Sequence, residues 1–255
     1  MRRVVIAEGG ARAPCATLTD AEVPPPHIIA QVPVRAGTLV DMRRIGDIHT
    51  FEDRALQRWM TRASFAVLGA TAALAVGLMV ALGACAPGAL DRPLAGVLGI
   101  APLSWFALCG WFAAFAVATF ALLAVHELVH AALFKLFAPR GVRITFGANW
   151  KVGMLYACAE GIVYTRRQYL VIALGPSVAV TAAVLACAIA AGCPVLAVGI
   201  AGVHLCGCTG DWYYVRTILR NPAVTHCEDT TWGMRLFGAG EGTGADDADE
   251  KGAAA

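Results

Sequence analysis

The sequence predicts an α-helical integral membrane protein with about four transmembrane helices and a short cytosolic β-ribbon between helices two and three. Of its 255 residues, 58% are hydrophobic and only 15% are charged, and the mean hydropathy is +0.64. This composition excludes a disordered chain and a basic nucleic-acid-binding domain, and it disfavours a water-soluble domain. We therefore expect the lipid bilayer, and no nucleic acid, among the partners of the chain.

Four apolar stretches approach the roughly 20 residues that a helix needs to cross a bilayer. They are residues 64–86, 105–137, 169–191 and 194–219. The second stretch is too long for one straight crossing at about 1.5 Å per residue, so we expect it to tilt, to bend near Gly110 or to protrude. The fourth stretch is interrupted by Asp211.

The 20 Lys and Arg residues predict how the chain is oriented in the bilayer. Nine of them precede Ser64, six lie in residues 135–167 and four follow Asp211, whereas only Arg92 lies between the first two spans. The positive-inside rule then places both termini and the loop over residues 135–168 in the cytosol. We expect a multi-pass protein of a bacterial plasma membrane.

The segments outside the spans have few structural signals. Residues 1–60 combine a run of three prolines with scattered charge, and we expect a weakly structured cytosolic arm there. Residues 64–220 form the predicted membrane domain, and residues 221–255 form a cytosolic tail that is disordered toward its end. Nine cysteines without a CxxC motif, several within apolar runs, argue against a disulfide framework.

The loop between the second and third spans favours β-structure. Val142, Ile144 and Phe146 alternate with polar residues, and residues 155–164 are rich in aromatic and β-branched side chains. This pattern predicts a short hairpin or ribbon that turns at residues 147–149. An ordinary amphipathic connector is the alternative.

The second span contains an HExxH motif, His126-Glu127-Leu128-Val129-His130. On a helix, side chains at positions i and i+4 share one face, so both imidazoles can bind the same zinc ion. A zinc site with an open position lowers the pKa of a bound water toward about 7, and Glu127 would accept the water proton and return it to the leaving amine. The alternative is that these residues are buried polar groups that hold helices together.

A catalytic zinc usually has a third protein ligand, which must come from elsewhere in the chain. His130 lies five residues before Lys135, and Asp211 lies five residues before Arg216. Because the second and fourth spans run in the same direction, both side chains lie about 7.5 Å inside the first cation of their helices and can meet. The candidates for the third ligand are Asp211, His204, Cys206 and Cys208.

The other three candidates fit less well on a regular helix. His204 lies two turns from Asp211, about 10 Å along the helix axis. The alternatives to a ligand role for His204 are a core histidine hydrogen-bonded to a neighbouring helix, a residue that supports the ligands, or a proton relay. Cys206 and Cys208 point about 200° apart and cannot both bind one ion unless the neighbouring glycines break the helix. Core packing is the favoured role for both thiols.

These motifs resemble the membrane zincin peptidases, a group similar to the site-2 protease class of intramembrane metalloproteases. The resemblance covers about residues 122–220 and is carried by the HExxH motif, by Gly175-Pro176 and by Gly210-Asp211. It implies one Zn²⁺ per chain bound by His126, His130 and Asp211, with Glu127 as the general base. The aspartate differs from the Asn-Pro-Asp-Gly or Leu-Asp-Gly contexts of that class.

The expected function is that of a membrane-embedded zinc metallopeptidase acting on membrane or membrane-proximal proteins and peptides. Because a helix protects its own peptide bonds, we expect the substrate to be extended and held by strand addition to the ribbon. A non-enzymatic membrane protein for metal binding, transport or assembly is the alternative. The first and third spans offer almost no polar path for transport, and nothing in the sequence indicates an oligomeric state.

Overall fold

The computed structural model describes residues 32–34, 38–40, 42–149 and 154–240. These residues form a mostly helical structure with several antiparallel strands. The helices are α1 Arg54–Cys85, α2 Arg92–Val97, α3 Trp105–Phe137, α4 Arg166–Ala190, α5 Pro194–Gly207 and α6 Thr209–Arg220. The strands are β1 Val32–Val34, β2 Thr38–Val40, β3 Met42–His49, β4 Thr145–Asn149, β5 Met154–Cys158, β6 Val163–Thr165, β7 His226–Thr230 and β8 Gly233–Ala239.

Helices α1, α3 and α4 are each long and apolar enough to cross a membrane, and α5 with α6 counts as a fourth span if the pair is taken together. In α1 and α3, no residue of the most apolar 18-residue window is buried. Phe65, Phe106 and Phe120 are 70%, 93% and 78% exposed. Apolar surface of this extent is unusual on a soluble monomer and indicates contact with an apolar environment or partner.

The fourth predicted span is not one straight helix. Helix α5 ends at Gly207, α6 begins at Thr209, and the two axes are bent by 52°. At the break, the Cys208 N–H donates to the carbonyls of both His204 and Leu205 at 3.2 and 3.1 Å, which is the bifurcated pattern of a helix end. Apolarity alone predicts the length of a span and carries no information about such a bend.

A four-stranded antiparallel sheet in the order β3-β8-β7-β6 packs against the helix ends. The prediction of a weakly structured arm is wrong for residues 42–60, which form β3 and the start of α1. The predicted C-terminal tail also contains regular structure, because residues 226–239 form β7 and β8. Strand β3 pairs with a strand far away in sequence, so local composition carries little signal for it. Strands β1 and β2 also belong to the predicted arm, and they pair antiparallel with each other. The other residues before Met42 and those after Gly240 lie outside the described residues.

The main hydrophobic core joins this sheet to the ends of three long helices. Phe134, Tyr169 and Ile218 come from α3, α4 and α6, and they pack with residues of the sheet such as Leu236. The end of α3 therefore packs within this core beneath the sheet. Strand β6 leads straight into α4 through a capping box in which Thr165 accepts from the Gln168 N–H.

The predicted ribbon is present between α3 and α4. Strands β4 and β5 pair antiparallel from Thr145↔Cys158 to Asn149↔Met154. The prediction of a turn at residues 147–149 is wrong, because these residues belong to β4 and pair with residues 154–156 of β5. Gly147 marks a close approach instead, since a Cβ there would collide with the ring of Tyr156.

Asp91 fastens the connection between α1 and α3 to the start of α5. Its fully buried carboxylate accepts hydrogen bonds from the N–H groups of Val195 and Leu196 at 3.0 and 2.9 Å, and from the Trp111 indole at 2.9 Å.

We predict that Asp91→Ala lowers stability by roughly 2–4 kcal/mol, because three buried donors lose their partner. Thermal unfolding in detergent measures this loss, and an unchanged midpoint would contradict it. The exposed neighbour provides a control, Arg92→Ala, which should change stability by less than about 0.5 kcal/mol.

Candidate metal centre and active site

Helix α3 buries the polar residues of its HExxH motif and exposes much of its apolar surface. Its buried residues are His126, Glu127, His130, Ala131 and Phe134. Their spacing of one, four, five and eight residues places them on one face of the helix. The Nε2 atoms of His126 and His130 lie 3.1 Å apart on this face. The two imidazoles of the motif therefore point toward the same place, as their spacing predicts.

Asp211 lies in the first turn of α6 and reaches both imidazoles. Its Oδ2 atom lies 3.3 Å from His126 Nε2, and its Oδ1 atom lies 3.5 Å from His130 Nε2. The next residue anchors the turn, because the Trp212 indole donates to Ser177 Oγ of α4 at 3.0 Å. The structure thus brings together the three side chains that the sequence proposes as metal ligands, from two different helices.

The donor atoms of these three side chains lie close enough together to bind one metal ion. The two Nε2 atoms are 3.1 Å apart, and each faces its own carboxylate oxygen of Asp211, at 3.3 and 3.5 Å. Tetrahedral zinc with bonds of about 2.0–2.1 Å requires ligand atoms about 3.3 Å apart. Two imidazoles and one carboxylate are also a usual donor set for catalytic zinc, since they leave one position open. Geometry and chemistry therefore agree on His126, His130 and Asp211 as a group able to hold zinc.

Glu127 is held by the ribbon. Its Oε2 atom accepts a hydrogen bond from the backbone N–H of Ala157 at 2.7 Å, and both residues are buried. Because this N–H points toward α3, it cannot also take part in the ladder between β4 and β5. The strand β5 therefore presents an edge toward the motif, and that edge positions the carboxylate beside the two imidazoles.

A cavity of about 370 Å³ lies over the three candidate ligands and Glu127. Its walls come from α3, from α5 and α6, from β5 and from the turn between β7 and β8. Phe120, Leu123, Leu155 and Trp232 contribute apolar surface to it. A largely apolar cavity in which a few polar groups converge is typical of a substrate site.

Asp229 of β7 also lines this cavity, although it is not among the candidate residues that the sequence indicates. Its Oδ1 atom accepts a hydrogen bond from the Tyr169 hydroxyl at 2.8 Å. Burial raises the pKa of Asp229 to about 7, against the opposing effects of Tyr169 and His130. No motif surrounds Asp229, which follows the last apolar stretch. Only the pairing of β7 with β6 and β8 carries it to the cavity.

His204 and Cys208 are closer to the site than a straight helix would allow. Because the helix breaks at Cys208, His204 Nε2 lies 3.1 Å from His126 Nδ1, and Cys208 Sγ lies 3.7 Å from both nitrogens. These three side chains form a second group with the geometry of a metal site. Cys206 does not join either group, since its thiol donates to the Ser64 carbonyl at 3.7 Å.

Comparison with known families supports the chemistry indicated by this geometry. Residues 119–225 match a family model described as "Putative zincin peptidase". The matched segment is less than half of the chain, and it contains the HExxH motif, the ribbon and Asp211. No curated protein and no solved structure matches the chain. The match supports a zincin family, and with it a zinc-dependent metallopeptidase.

The raised pKa of the half-buried Asp229 carboxyl predicts a distinct pH dependence of stability. Its pKa is raised from 3.8 to about 7, so the folded state holds an extra proton between about pH 4 and pH 7, and stability falls as the pH rises through this window. We predict that Asp229→Asn abolishes this pH-dependent loss of unfolding free energy, which amounts to up to about 4 kcal/mol at about 1.4 kcal/mol per pKa unit. Thermal unfolding in detergent at a series of pH values measures it.

The difference in unfolding temperature between Asp229→Asn and the wild type should grow as the pH rises from 4 to 8. The exposed residue Glu160 provides a control, since Glu160→Gln should follow the wild type at every pH. Parallel curves for the wild type and Asp229→Asn would contradict the raised pKa.

Proposed function

We propose that this chain is a membrane-embedded zinc metallopeptidase, similar to site-2 proteases, that hydrolyses peptide bonds of membrane or membrane-proximal substrates. One observation carries the proposal. His126, His130 and Asp211 converge within metal-binding distance, next to Glu127, on the buried face of an otherwise apolar and exposed helix. The family match supports the zincin chemistry independently of this geometry.

The proposed location is a bacterial plasma membrane, crossed several times, with both termini in the cytosol. The exposed apolar surfaces of α1 and α3 support contact with lipid, and the distribution of Lys and Arg supports the orientation. In this orientation, the four-stranded sheet and the ribbon lie on the cytosolic side. The metal centre then lies near the cytosolic border of the bilayer, where water can reach it.

In the proposed reaction, His126, His130 and Asp211 hold one zinc ion per chain. When bound, zinc supplies a Lewis acid that lowers the pKa of water to about 7. Glu127 accepts a proton from the attacking water and passes it to the nitrogen of the leaving amine. The Ala157 N–H occupies Oε2 of Glu127, so Oε1 is the oxygen that carries the proton.

The edge of β5 provides a place for an extended substrate. In an antiparallel pair, every second residue directs its backbone N–H and C=O groups away from the partner strand. Ala157 directs its N–H to Glu127, so Leu155, two residues away in the register, also directs its backbone groups away from β4. Both residues line the cavity. A substrate strand paired at this edge would run beside Glu127.

Metal content and activity test the proposal together. We expect purified wild-type protein to contain about one zinc per chain, Glu127→Gln to retain this zinc, and Asp211→Asn to lose it, because the amide is a much poorer ligand than the carboxylate. Inductively coupled plasma mass spectrometry measures the zinc. Quantitative proteomics of membranes from cells expressing the wild type or Glu127→Gln should show proteins that remain uncut only with the variant.

Cys206→Ser provides the matched control and should retain both zinc and activity, because this thiol faces Ser64. Zinc retained in Asp211→Asn would remove this aspartate from the site. Full zinc with no difference between the wild-type and Glu127→Gln proteomes would favour the non-enzymatic alternative.

Substrate pairing at β5 makes a separate prediction. Leu155→Pro removes the N–H that faces the cavity and leaves the ladder between β4 and β5 without a lost donor. We expect this variant to keep its zinc and to cleave the newly identified substrates at least about tenfold more slowly, since main-chain pairing carries the affinity. Leu155→Ala keeps the N–H and should retain most activity. Equal rates for the two variants would rule out strand addition at this position.

A further inference from the structure

We propose that Thr181 and His204 form a hydrogen-bond relay that fixes the tautomer of His126 and so positions its Nε2 atom for the metal ion. This inference rests on the function proposed above. It assigns His204 and Thr181 as positioning residues, which act through His126 and bind no ion themselves.

The relay connects three helices in one line. His126 Nδ1 of α3 lies 3.1 Å from His204 Nε2 of α5, and His204 Nδ1 lies 3.1 Å from Thr181 Oγ1 of α4. Both histidines are buried, with 7% and 8% exposure. Every ring nitrogen of the two histidines therefore faces a defined partner, with His126 Nε2 facing Asp211.

The proton count allows only one direction of this relay when a metal ion is bound. A neutral imidazole has a single N–H, so a lone pair on His126 Nε2 requires the proton on Nδ1. That N–H donates to His204 Nε2, which places the His204 proton on Nδ1, where it donates to Thr181 Oγ1. The reverse direction would put a proton on His126 Nε2 and block the metal. With the metal ion bound, the relay gives the Nδ1 proton an acceptor and so stabilises the tautomer that binds the ion.

The two ligand histidines differ in this respect. Among the described residues, the buried Nδ1 atom of His130 has no hydrogen-bond partner. A metal-binding histidine usually donates its second N–H to a fixed partner, and loss of that partner typically lowers metal affinity 10- to 100-fold. The relay supplies that partner for His126, and we expect its orientation to depend on His204.

The second cluster of ligand atoms does not require a second ion. An ion held by His126 Nδ1, His204 Nε2 and Cys208 would use the two nitrogens that already face each other in the relay. With one ion on Nε2, His126 could bind another through Nδ1 only after losing both ring protons. The Cys208 thiol also has its own acceptor, the His204 carbonyl at 3.3 Å.

Zinc affinity of full-length protein in detergent, measured by competition with a chelator, tests the relay. We expect His204→Leu to raise the Kd for zinc about 10- to 100-fold, and His204→Gln, whose amide oxygen can accept from His126 Nδ1, to stay within about threefold of wild type. Thr181→Val should give an intermediate increase. Thr61→Val is the matched control, since within the described part of the chain the exposed Thr61 hydroxyl donates to the Gln57 carbonyl of its own helix, away from His204.

A cobalt-substituted sample adds a spectroscopic readout. The d–d absorption of Co²⁺ should change in His204→Leu and remain close to wild type in His204→Gln. The same Kd in all His204 variants, or equal weakening by Leu and Gln, would overturn the relay. Two zinc ions in the wild type, with one lost in Cys208→Ser, would also overturn it, because His204 would then be a ligand.

The outcomes separate this inference from the proposed function. A wild-type protein without zinc ends both. Normal zinc in the wild type, combined with an unchanged Kd in His204→Leu, ends the relay alone and leaves the proposed metal centre intact.

Discussion

The contact of Asp211 with His126 and His130 is the constraint on which the rest of the site depends. Polar groups on an apolar helix are costly to bury unless other polar groups meet them. On α3 these groups lie on the buried face, and the carboxylate that meets them comes from α6. The packing of α6 against α4 and α1 is therefore coupled to the chemistry of the motif. Without the Asp211 carboxylate, the His126 and His130 imidazoles would face each other with no acidic side chain in contact with both.

The bend at Cys208 makes this contact compatible with the position of His204. Along a straight helix, His204 and Asp211 would stand about two turns apart and could not both approach His126. The 52° break allows α5 to present His204 to one nitrogen of the ring and α6 to present Asp211 to the other. Helices α5 and α6 therefore contact the His126 imidazole from two sides. Gly207 directly precedes the break between them.

The sequence predicts the local chemistry well and the long-range arrangement poorly. HExxH spacing alone places His126 and His130 together, and counting residues to the nearest cations places Asp211 at the same depth. Apolar length identifies α3 within its observed bounds. Strand β3 and Asp229 escape such reasoning, because strand pairing across most of the chain leaves no local signal. Gly147 shows a further limit, since the same residue type serves both turns and close packing, and here it lies within a strand.

The cavity is lined by residues from both inside and outside the segment that matches the zincin peptidase family. Three lining residues lie outside residues 119–225, namely Phe51, Asp229 and Trp232. A polypeptide cut to those limits would keep every proposed zinc ligand but would leave one side of the chamber open to solvent. The proposed metal ligands and part of the wall that would shape substrate choice therefore come from different portions of one polypeptide.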